Sequence, residues 1–326
     1  MDAVARLGSN IKTVTQNESC VVFTISDETG EGVMTVYQVL PGVMVCFSDM
    51  HMEKCKSEFE LKAGQKVFCI DHCREGRIEM EVQPGVFSIM QEKELRLDNR
   101  EHHKGMACYP LKHYHGVSIF LEVEQAQAAF DEMFHGFSVK PEQLREKYCC
   151  FEKPYVIRDE ESLSRLIASF YPRNMEHPEL AKTREYYLLK VVELLLYLNV
   201  LPVEYVKENK PYYYRTQMEK IRAIHAQITT DLKSRVTIEE LSRQYDMPLT
   251  TMKKCFREIY GDSIYSYQKR YRINVAASML LQDETLEIQE LALQMGYENP
   301  GKFSAAFRNV MGISPTEYRI RKEGIV

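Results

Sequence analysis

The chain has 326 residues, of which 44% are hydrophobic and 27% are charged, a balance typical of a protein that buries a sizeable core in about two globular units. Its net charge of −5 argues against a protein that coats nucleic acid non-specifically. Nine cysteines without paired CxxC spacing argue against a disulfide framework or a zinc ribbon. Residues 1–6 have no apolar signal core, and Lys190 and Glu193 interrupt the apolar stretch at 186–201. We therefore expect a cytoplasmic protein without a membrane segment.

The first part of the chain predicts an α+β fold. Short β-rich runs, such as residues 20–25, 67–70 and 117–121, are separated by Gly, Pro and Asp turns and predict an antiparallel barrel or sandwich. Of the two we favour a cupin-like β-barrel at about 20–123. Helical patterns follow at about 124–200 and are strongest at 178–199. An apolar stripe there consists of Leu188, Val191, Leu195 and Leu198. This helix is a candidate dimer surface, with packing on the chain's own barrel as the alternative.

A break near residues 208–217 reads as a linker between two domains. We predict one domain at 1–207 and an all-α domain at 218–326. The charge divides between them, with −7 on residues 1–218 and +2 on residues 219–326. The position of the positive residues in the second domain therefore matters more than their number.

The second domain carries one half-motif twice. Apolar residues recur at helix spacing across a short break in each copy, and each copy predicts a helix-turn-helix, at about 236–260 and 286–311. The first set is Ile238, Leu241, Met247, Met252 and Phe256; the second is Ile288, Leu291, Met295, Phe303 and Phe307. The helix pattern between the copies, at 264–281, would span ~27 Å against the ~34 Å between successive major-groove faces of DNA.

The second helix of a helix-turn-helix enters the major groove, so its outward positions must be polar or small. Asn299 should cap that helix in the second copy, with Pro300 at its first position. A solvated helix face is the alternative for a single copy, and the tandem arrangement favours DNA binding. The predicted DNA-binding residues are Thr250, Thr251, Lys253, Lys254, Arg257, Asn299, Gly301, Lys302, Ser304, Ala305 and Arg308.

Residues 238–318 resemble the paired helix-turn-helix domain of the AraC/XylS transcriptional regulators. The resemblance rests on the runs at 256–261, 288–292, 303–308 and 312–319, and residues 297–303 are similar to the branch that includes the pyochelin siderophore regulator. Two departures concern the first turn, because Asp246 stands where the family has glycine and Pro248 where it has an N-cap serine. Carried over by position, the residues that reach bases would be Thr250, Lys253, Lys254, Gly301, Lys302, Ser304 and Ala305.

The resemblance implies a sequence-specific transcriptional activator whose residues 1–207 form a ligand-sensing and dimerisation domain. Its expected partners are the double-stranded DNA of a promoter operator, a small-molecule effector, RNA polymerase and a second copy in a homodimer. Its expected place is the bacterial cytoplasm, associated with the nucleoid through DNA.

The sensor domain offers a set of cationic and imidazole side chains for an effector. An anionic ligand would pair with Arg74, Arg77 or Lys112. The candidate effector residues are His72, Arg74, Arg77, Lys112, His113 and His115.

Metal binding, in a cupin enzyme or a metal sensor, is the alternative function for this domain. His113 and His115 could face one side of a strand, as in metal-dependent cupins, and His102, His103 and Cys69 lie in the same part of the chain. The carboxylate that should follow at short spacing is absent, and the chain has no HExxH, GxSxG, P-loop or GxGxxG pattern. We predict no metal, no cofactor and no catalysis. A metal-dependent cupin enzyme or metal sensor fused to a DNA reader, and a ligand-independent dimeric regulator, remain the alternatives.

Overall fold

The computed structural model describes residues 11–16, 20–57, 61–62, 64–101, 105–150, 153–158, 160–171, 179–203, 212–234, 236–283 and 285–321. The chain forms two compact units, Met1–Tyr213 and Tyr214–Val326, here called the N-terminal and C-terminal units. His102, His103 and positions 208–211 of the predicted linker lie outside the described residues. None of the helices within the described residues is both long and apolar enough to span a bilayer.

A curled antiparallel sheet dominates the N-terminal unit. Its central order is β1-β2-β3-β4-β10-β6-β7, so β10 lies between β4 and β6. The strands are β1 (Ile11–Gln16), β2 (Val21–Asp27), β3 (Gly30–Leu40), β4 (Val43–His51), β5 (Lys54–Ser57), β6 (Val67–Gln83), β7 (Val86–Gln91), β8 (Leu95–Asp98), β9 (Gly105–Cys108), β10 (Tyr114–Glu122) and β11 (Tyr155–Ile157). The predicted α+β class, with a curled sheet, trailing helices and an all-α second unit, is confirmed.

Alternation along β10 separates the two faces of this sheet. Val117, Ile119 and Leu121 are buried in the main core, whereas Ser118 donates a hydrogen bond to Asp71 on β6 from the opposite face. Successive side chains of a strand point to opposite faces, so one face carries the apolar core and the other carries polar groups. The core face is covered by α1 (Val123–Met133), α2 (Pro141–Tyr148), α3 (Glu161–Ala168) and α4 (Arg184–Val200).

The apolar stripe on α4 packs inside its own unit. Leu188, Val191, Leu195 and Leu198 are at most 8% exposed, and Tyr187 on the same helix lies 4.5 Å from the Tyr37 ring of β3, centroid to centroid. The stripe is therefore not a free dimer surface, because the sheet already covers it. The predicted helix at 178–199 also begins later, at Arg184, because the Thr183 hydroxyl caps it by accepting a hydrogen bond from the Tyr186 amide.

The C-terminal unit begins at the end of a short strand, β12 (Tyr213–Tyr214), and is otherwise helical. The helix α5 starts at Arg215, within the predicted linker. The helices are α5 (Arg215–Thr230), α6 (Ile238–Gln244), α7 (Leu249–Tyr260), α8 (Ile264–Gln282), α9 (Ile288–Gln294), α10 (Pro300–Met311) and α11 (Pro315–Arg321). Both predicted helix-turn-helix motifs are confirmed as α6–α7 and α9–α10. The repeat is close, since α6 and α9 have 7 residues each, and α7 and α10 have 12 each.

The first helix of each pair ends in the same hydrogen-bonded turn. In the first copy the Met247 amide donates to the Ser242 carbonyl and the Asp246 amide to that of Arg243; in the second, Tyr297 and Gly296 donate to the carbonyls five and three residues earlier. This pattern requires a left-handed residue after the helix. Gly296 has φ +77°, and Asp246 adopts φ +44° despite its side chain. The first turn therefore keeps the geometry of the second without glycine.

The two turns should respond oppositely to substitution. Asp246→Gly relieves the left-handed strain and should stabilise the C-terminal unit by roughly 0.5 kcal/mol. Gly296→Ala should destabilise it by about 1–3 kcal/mol, because the added Cβ would lie 2.9 Å from the carbonyl oxygens of Leu232 and Lys233. Urea unfolding measures both changes. A loss of stability in Asp246→Gly would contradict this account of the first turn.

Candidate nucleic-acid interface and ligand cavity

Helix α7 buries one side and exposes the other. Met252, Cys255, Phe256 and Ile259 are at most 1% exposed. Thr250, Lys253, Lys254 and Arg257 are exposed and Thr251 is half-buried. Pro248 stands at the N-cap position without a side-chain cap, and left-handed Gly261 ends the helix. The buried side fixes the helix, so a row of hydroxyl and cationic groups faces outward.

Helix α10 repeats this arrangement with better capping. The Asn299 Oδ1 accepts hydrogen bonds from the amides of Gly301 at 2.8 Å and Lys302 at 3.2 Å, and Pro300 occupies the first helical position, as predicted. Phe303 and Phe307 are completely buried. The predicted contact residues Asn299, Gly301, Lys302, Ala305 and Arg308 are exposed and Ser304 is half-buried.

Aromatic side chains hold α7 against its neighbours. The His225 ring of α5 stacks on the Tyr260 ring at 4.1 Å between centroids, and its Nε2 lies 2.9 Å from the Tyr267 hydroxyl of α8. Phe256 packs edge-on against Tyr267 at 5.7 Å. In the second copy Phe303, Phe307 and residues of α8 and α9 form the equivalent core. Buried aromatic packing thus fixes the outward-facing side of each second helix in place.

Lysines on both outward faces keep their charges available. Within the described part of the chain, Lys253, Lys254 and Lys302 make no ion pair with a carboxylate, whereas Arg308 Nη2 lies 3.7 Å from Glu317 Oε2 in an exposed pair. Exposed pairs of that kind contribute little. Unpaired lysines on two matched helices suit phosphate contacts, and small residues such as Gly301 and Ala305 allow close approach to bases.

Four of the six predicted effector residues, His72, Arg74, His113 and His115, contact Tyr171 or Glu75, and the other two pair elsewhere. The His72 Nδ1 lies 3.3 Å from the Tyr171 hydroxyl, and the Arg74 guanidinium lies 4.8 Å from the centre of the same ring. Burial, with a contribution from Arg74, lowers the pKa of His72 to about 4, so its imidazole is neutral at pH 7. Arg77 donates to Gln91 on β7, and Lys112 pairs with Glu53 at 2.6 Å. His113 and His115 lie together, with 4.5 Å between ring centroids.

A cavity in the N-terminal unit contains none of those six residues. Its volume is about 160 Å³ and its wall is largely apolar, with four methionines. Its lining includes Ile25, Met34, Met50, Met80, Met90, Asp71, Arg96, Arg100, Ala107, Tyr109, Tyr114 and Ser118. Arg96 and Arg100 are not among the effector residues predicted from the sequence, because nothing in their local pattern distinguishes them from surface arginines.

Asp71 organises the polar side of the cavity. Its carboxylate accepts hydrogen bonds from Arg100 Nη2 at 2.6 Å, Arg96 Nη2 at 2.9 Å and the Ser118 hydroxyl at 2.7 Å. Burial alone would raise the pKa of Asp71, but Arg100 and Arg96 outweigh it and lower the pKa to about 2. Arg96 is only 1% exposed, and its Nε and Nη1 have no hydrogen-bond partner among the residues that the structure describes. The site therefore presents buried donors without an acceptor.

Two helix-turn-helix units joined by α8, with unpaired lysines on the outward face of each second helix, define a DNA-binding module. Comparison with known proteins supports the assignment of a DNA-binding module. A helix-turn-helix domain family matches residues 241–321. The transcriptional activator AarP of Providencia stuartii is 27% identical over 126 residues, which cover 39% of this chain and 90% of AarP. The transcriptional regulator ExsA of Pseudomonas aeruginosa is 29% identical over 86 residues, covering 26% and 31% of the two chains.

Among solved structures, the C-terminal domain of AraT, a response regulator from Geobacillus stearothermophilus, is 27% identical, with a TM-score of 0.30, covering 31% of this chain and 84% of that one. The C-terminal part of the chain is therefore an AraC-type helix-turn-helix domain, similar to the DNA-binding domains of these transcriptional regulators. These relatives are transcriptional regulators, in agreement with the prediction of a regulator rather than an enzyme.

Two substitutions on α10 should separate DNA contact from folding. Lys302→Ala removes an exposed cation and should weaken operator binding by about 1 kcal/mol or more, while unfolding free energy changes by less than about 0.5 kcal/mol. Phe307→Ala opens a core cavity and should cost about 3–5 kcal/mol of stability. Fluorescence anisotropy on operator DNA and thermal unfolding of the full chain measure the two effects. Equal thermal losses in both variants would contradict the assignment of the two faces.

Proposed function

We propose that the protein is an activator that reads a promoter operator through α7 and α10 and responds to a small effector in its N-terminal unit. The unpaired lysines on the matched outward faces of these helices carry the proposal. Lys253, Lys254, Arg257 and Arg308 would hold phosphates, and Thr250, Thr251, Lys302 and Ser304 would reach base edges. Asn299 contributes by capping α10, so its carbonyl oxygen is already engaged.

The cavity supports an effector of limited size and definite chemistry. An apolar cavity of about 150 Å³ accommodates a benzene ring, so the 160 Å³ cavity suits a ligand with one ring or a short chain. Its buried Arg96 donors require an oxygen acceptor, and a carboxylate forms the strongest pair with a guanidinium. The effector class is therefore a small apolar carboxylate. The proposed effector site therefore consists of Arg96, Arg100 and the methionines of the cavity wall, in place of the six residues predicted from the sequence.

Ligand binding there would act on the sheet that holds the unit together. Asp71 lies on β6, Arg96 on β8 and Ser118 on β10, so their hydrogen bonds join three strands. A carboxylate that engages Arg96 would change how tightly Arg96 holds Asp71. A ligand shifts a conformational equilibrium only if it binds one of the two states more tightly. Here the two states would differ in how tightly Arg96 holds Asp71, and the carboxylate would favour the state in which Arg96 is free to bind it.

A set of three ligands of similar size tests the effector class. Benzoate should raise the unfolding temperature of the full chain, whereas benzyl alcohol and benzylamine should not, because only the carboxylate pairs with Arg96. Arg96→Met should abolish the shift. Ala107→Leu fills the cavity without touching the arginines and should abolish it too. Equal shifts with all three ligands, or none with benzoate, would contradict the proposal.

The remaining partners are a second copy of the chain and RNA polymerase. Helix α4 exposes Leu189, Leu196 and Val200 on the side away from its buried stripe, which suits a dimer contact. Sedimentation should show a dimer that Leu189→Glu dissociates; a monomeric parent chain would exclude this surface.

Run-off transcription tests the action on RNA polymerase. The yield of transcript from the bound promoter should rise when the intact protein is added, and a fall in yield would identify a repressor.

A further inference from the structure

Three histidines meet at one end of the central strands. His51 is the last residue of β4, His115 lies near the start of β10, and His113 immediately precedes β10. This histidine cluster, His51, His113 and His115, brings one nitrogen from each ring within 4.8 Å of the other two. The ring centroids are 4.5–5.5 Å apart. Three imidazole rings in this arrangement can offer three nitrogen ligands to one metal ion.

Two carboxylates complete the cluster. The Asp49 Oδ1 lies 2.8 Å from His51 Nε2 and 2.6 Å from His115 Nε2. The Glu75 Oε2 lies 3.5 Å from His113 Nε2 and 3.7 Å from His115 Nδ1. The contact at 2.6 Å does not have hydrogen-bond geometry, and the buried His115 Nε2 has no hydrogen-bond partner within the described ranges. The His115 ring is therefore held in place while its Nε2 atom still lacks a hydrogen-bond partner among the described residues.

A β-bulge brings Glu75 to this face. His115 is opposite Glu75 and Gly116 is opposite Cys73, so Arg74 is an extra residue on β6. Residues directly opposite on antiparallel strands share a face, and His115 and Gly116 are on different faces. Cys73 and Glu75 would share a face in a regular strand. The bulge instead leaves Cys73 buried and turns Glu75 toward His115.

The ligand set matches a particular class of ion. Imidazole nitrogens suit Zn²⁺, Ni²⁺, Co²⁺ and Cu²⁺, and one carboxylate oxygen completes a tetrahedral set. With metal–nitrogen bonds of about 2.0–2.1 Å, the nitrogens of a tetrahedral site lie about 3.4 Å apart. Side-chain movements of about 1 Å would close the cluster to that spacing. The side chains are between 26% and 56% exposed, so an ion has access and the rings have room to move.

We propose that His51, His113, His115 and Asp49 bind one divalent transition-metal ion of the Zn²⁺ class. Glu75 orients the rings of His113 and His115 from outside the coordination sphere, as carboxylates do in known zinc sites. The ion links β4 to β10 at the end of the central sheet. This site is independent of the proposed effector cavity and of DNA binding, so its failure would leave both standing.

Metal titration of the untagged, reduced full chain tests the site. Competition with a chromophoric chelator should give one Zn²⁺ per chain bound at this site, and His51→Ala, His113→Ala and His115→Ala should each weaken it at least tenfold. His135→Ala is the matched control, because His135 is exposed and lies outside the cluster. Glu75→Gln should weaken binding less than Asp49→Asn.

Co²⁺ separates this site from cysteine binding. The chain has nine cysteines, and a cysteine site would show thiolate-to-metal charge transfer in the Co²⁺ spectrum. The proposed site has only nitrogen and oxygen ligands and should give the d–d bands of tetrahedral Co²⁺ alone. Thiolate bands that survive in His115→Ala would overturn the proposal. Affinities of the three cluster variants equal to that of His135→Ala would overturn it as well.

Discussion

A left-handed residue after the first helix of each helix-turn-helix fixes how the second helix leaves it. Asp246 and Gly296 hold that conformation, and the same pair of amide-to-carbonyl hydrogen bonds closes both turns. An ordinary residue there would be strained, and a different angle would detach α7 or α10 from the buried aromatic base. The outward positions of both helices depend on this constraint. The lysines point to solvent because Phe256 and Phe307 are held inward.

Strand β10 plays the corresponding part in the N-terminal unit. Its alternation places Val117, Ile119 and Leu121 under the helices and Ser118 beside Asp71. One strand therefore borders the apolar core on one face and the methionine-lined cavity on the other. The histidine cluster continues the core face beyond the reach of the helices. The cavity and the cluster are thus separate sites that share a strand.

Sequence periodicity predicted what depends on near neighbours. The two helix-turn-helix motifs and the Asn299 cap follow from spacing within one or two helical turns, and the structure confirms them. The stripe on α4 was assigned to a dimer surface or to the chain's own barrel, because an apolar pattern does not say what covers it. The sheet covers it. The sequence placed the start of this helix too early, before its true start at Arg184, because the apolar pattern extends past the Thr183 cap.

Long-range pairing explains what the sequence did not predict. Arg96 and Arg100 meet Asp71 only because β8 pairs with β6. The sequence has no carboxylate shortly after His115, whereas the carboxylate that lies beside His115 is Asp49, which β4 brings to β10 through strand pairing together with His51. A bulge of one residue decides where Glu75 points. No local pattern encodes these contacts.

Binding of the full chain to its own upstream DNA, compared with a shuffled duplex of equal composition at physiological salt, tests the central claim most directly. Specific regulators bind their sites about 10³-fold or more tightly than non-specific DNA. We expect that ratio, together with a smaller salt dependence on both duplexes for Lys253→Ala, which removes a proposed phosphate contact. Equal affinity for the two duplexes would contradict a sequence-reading role for α7 and α10.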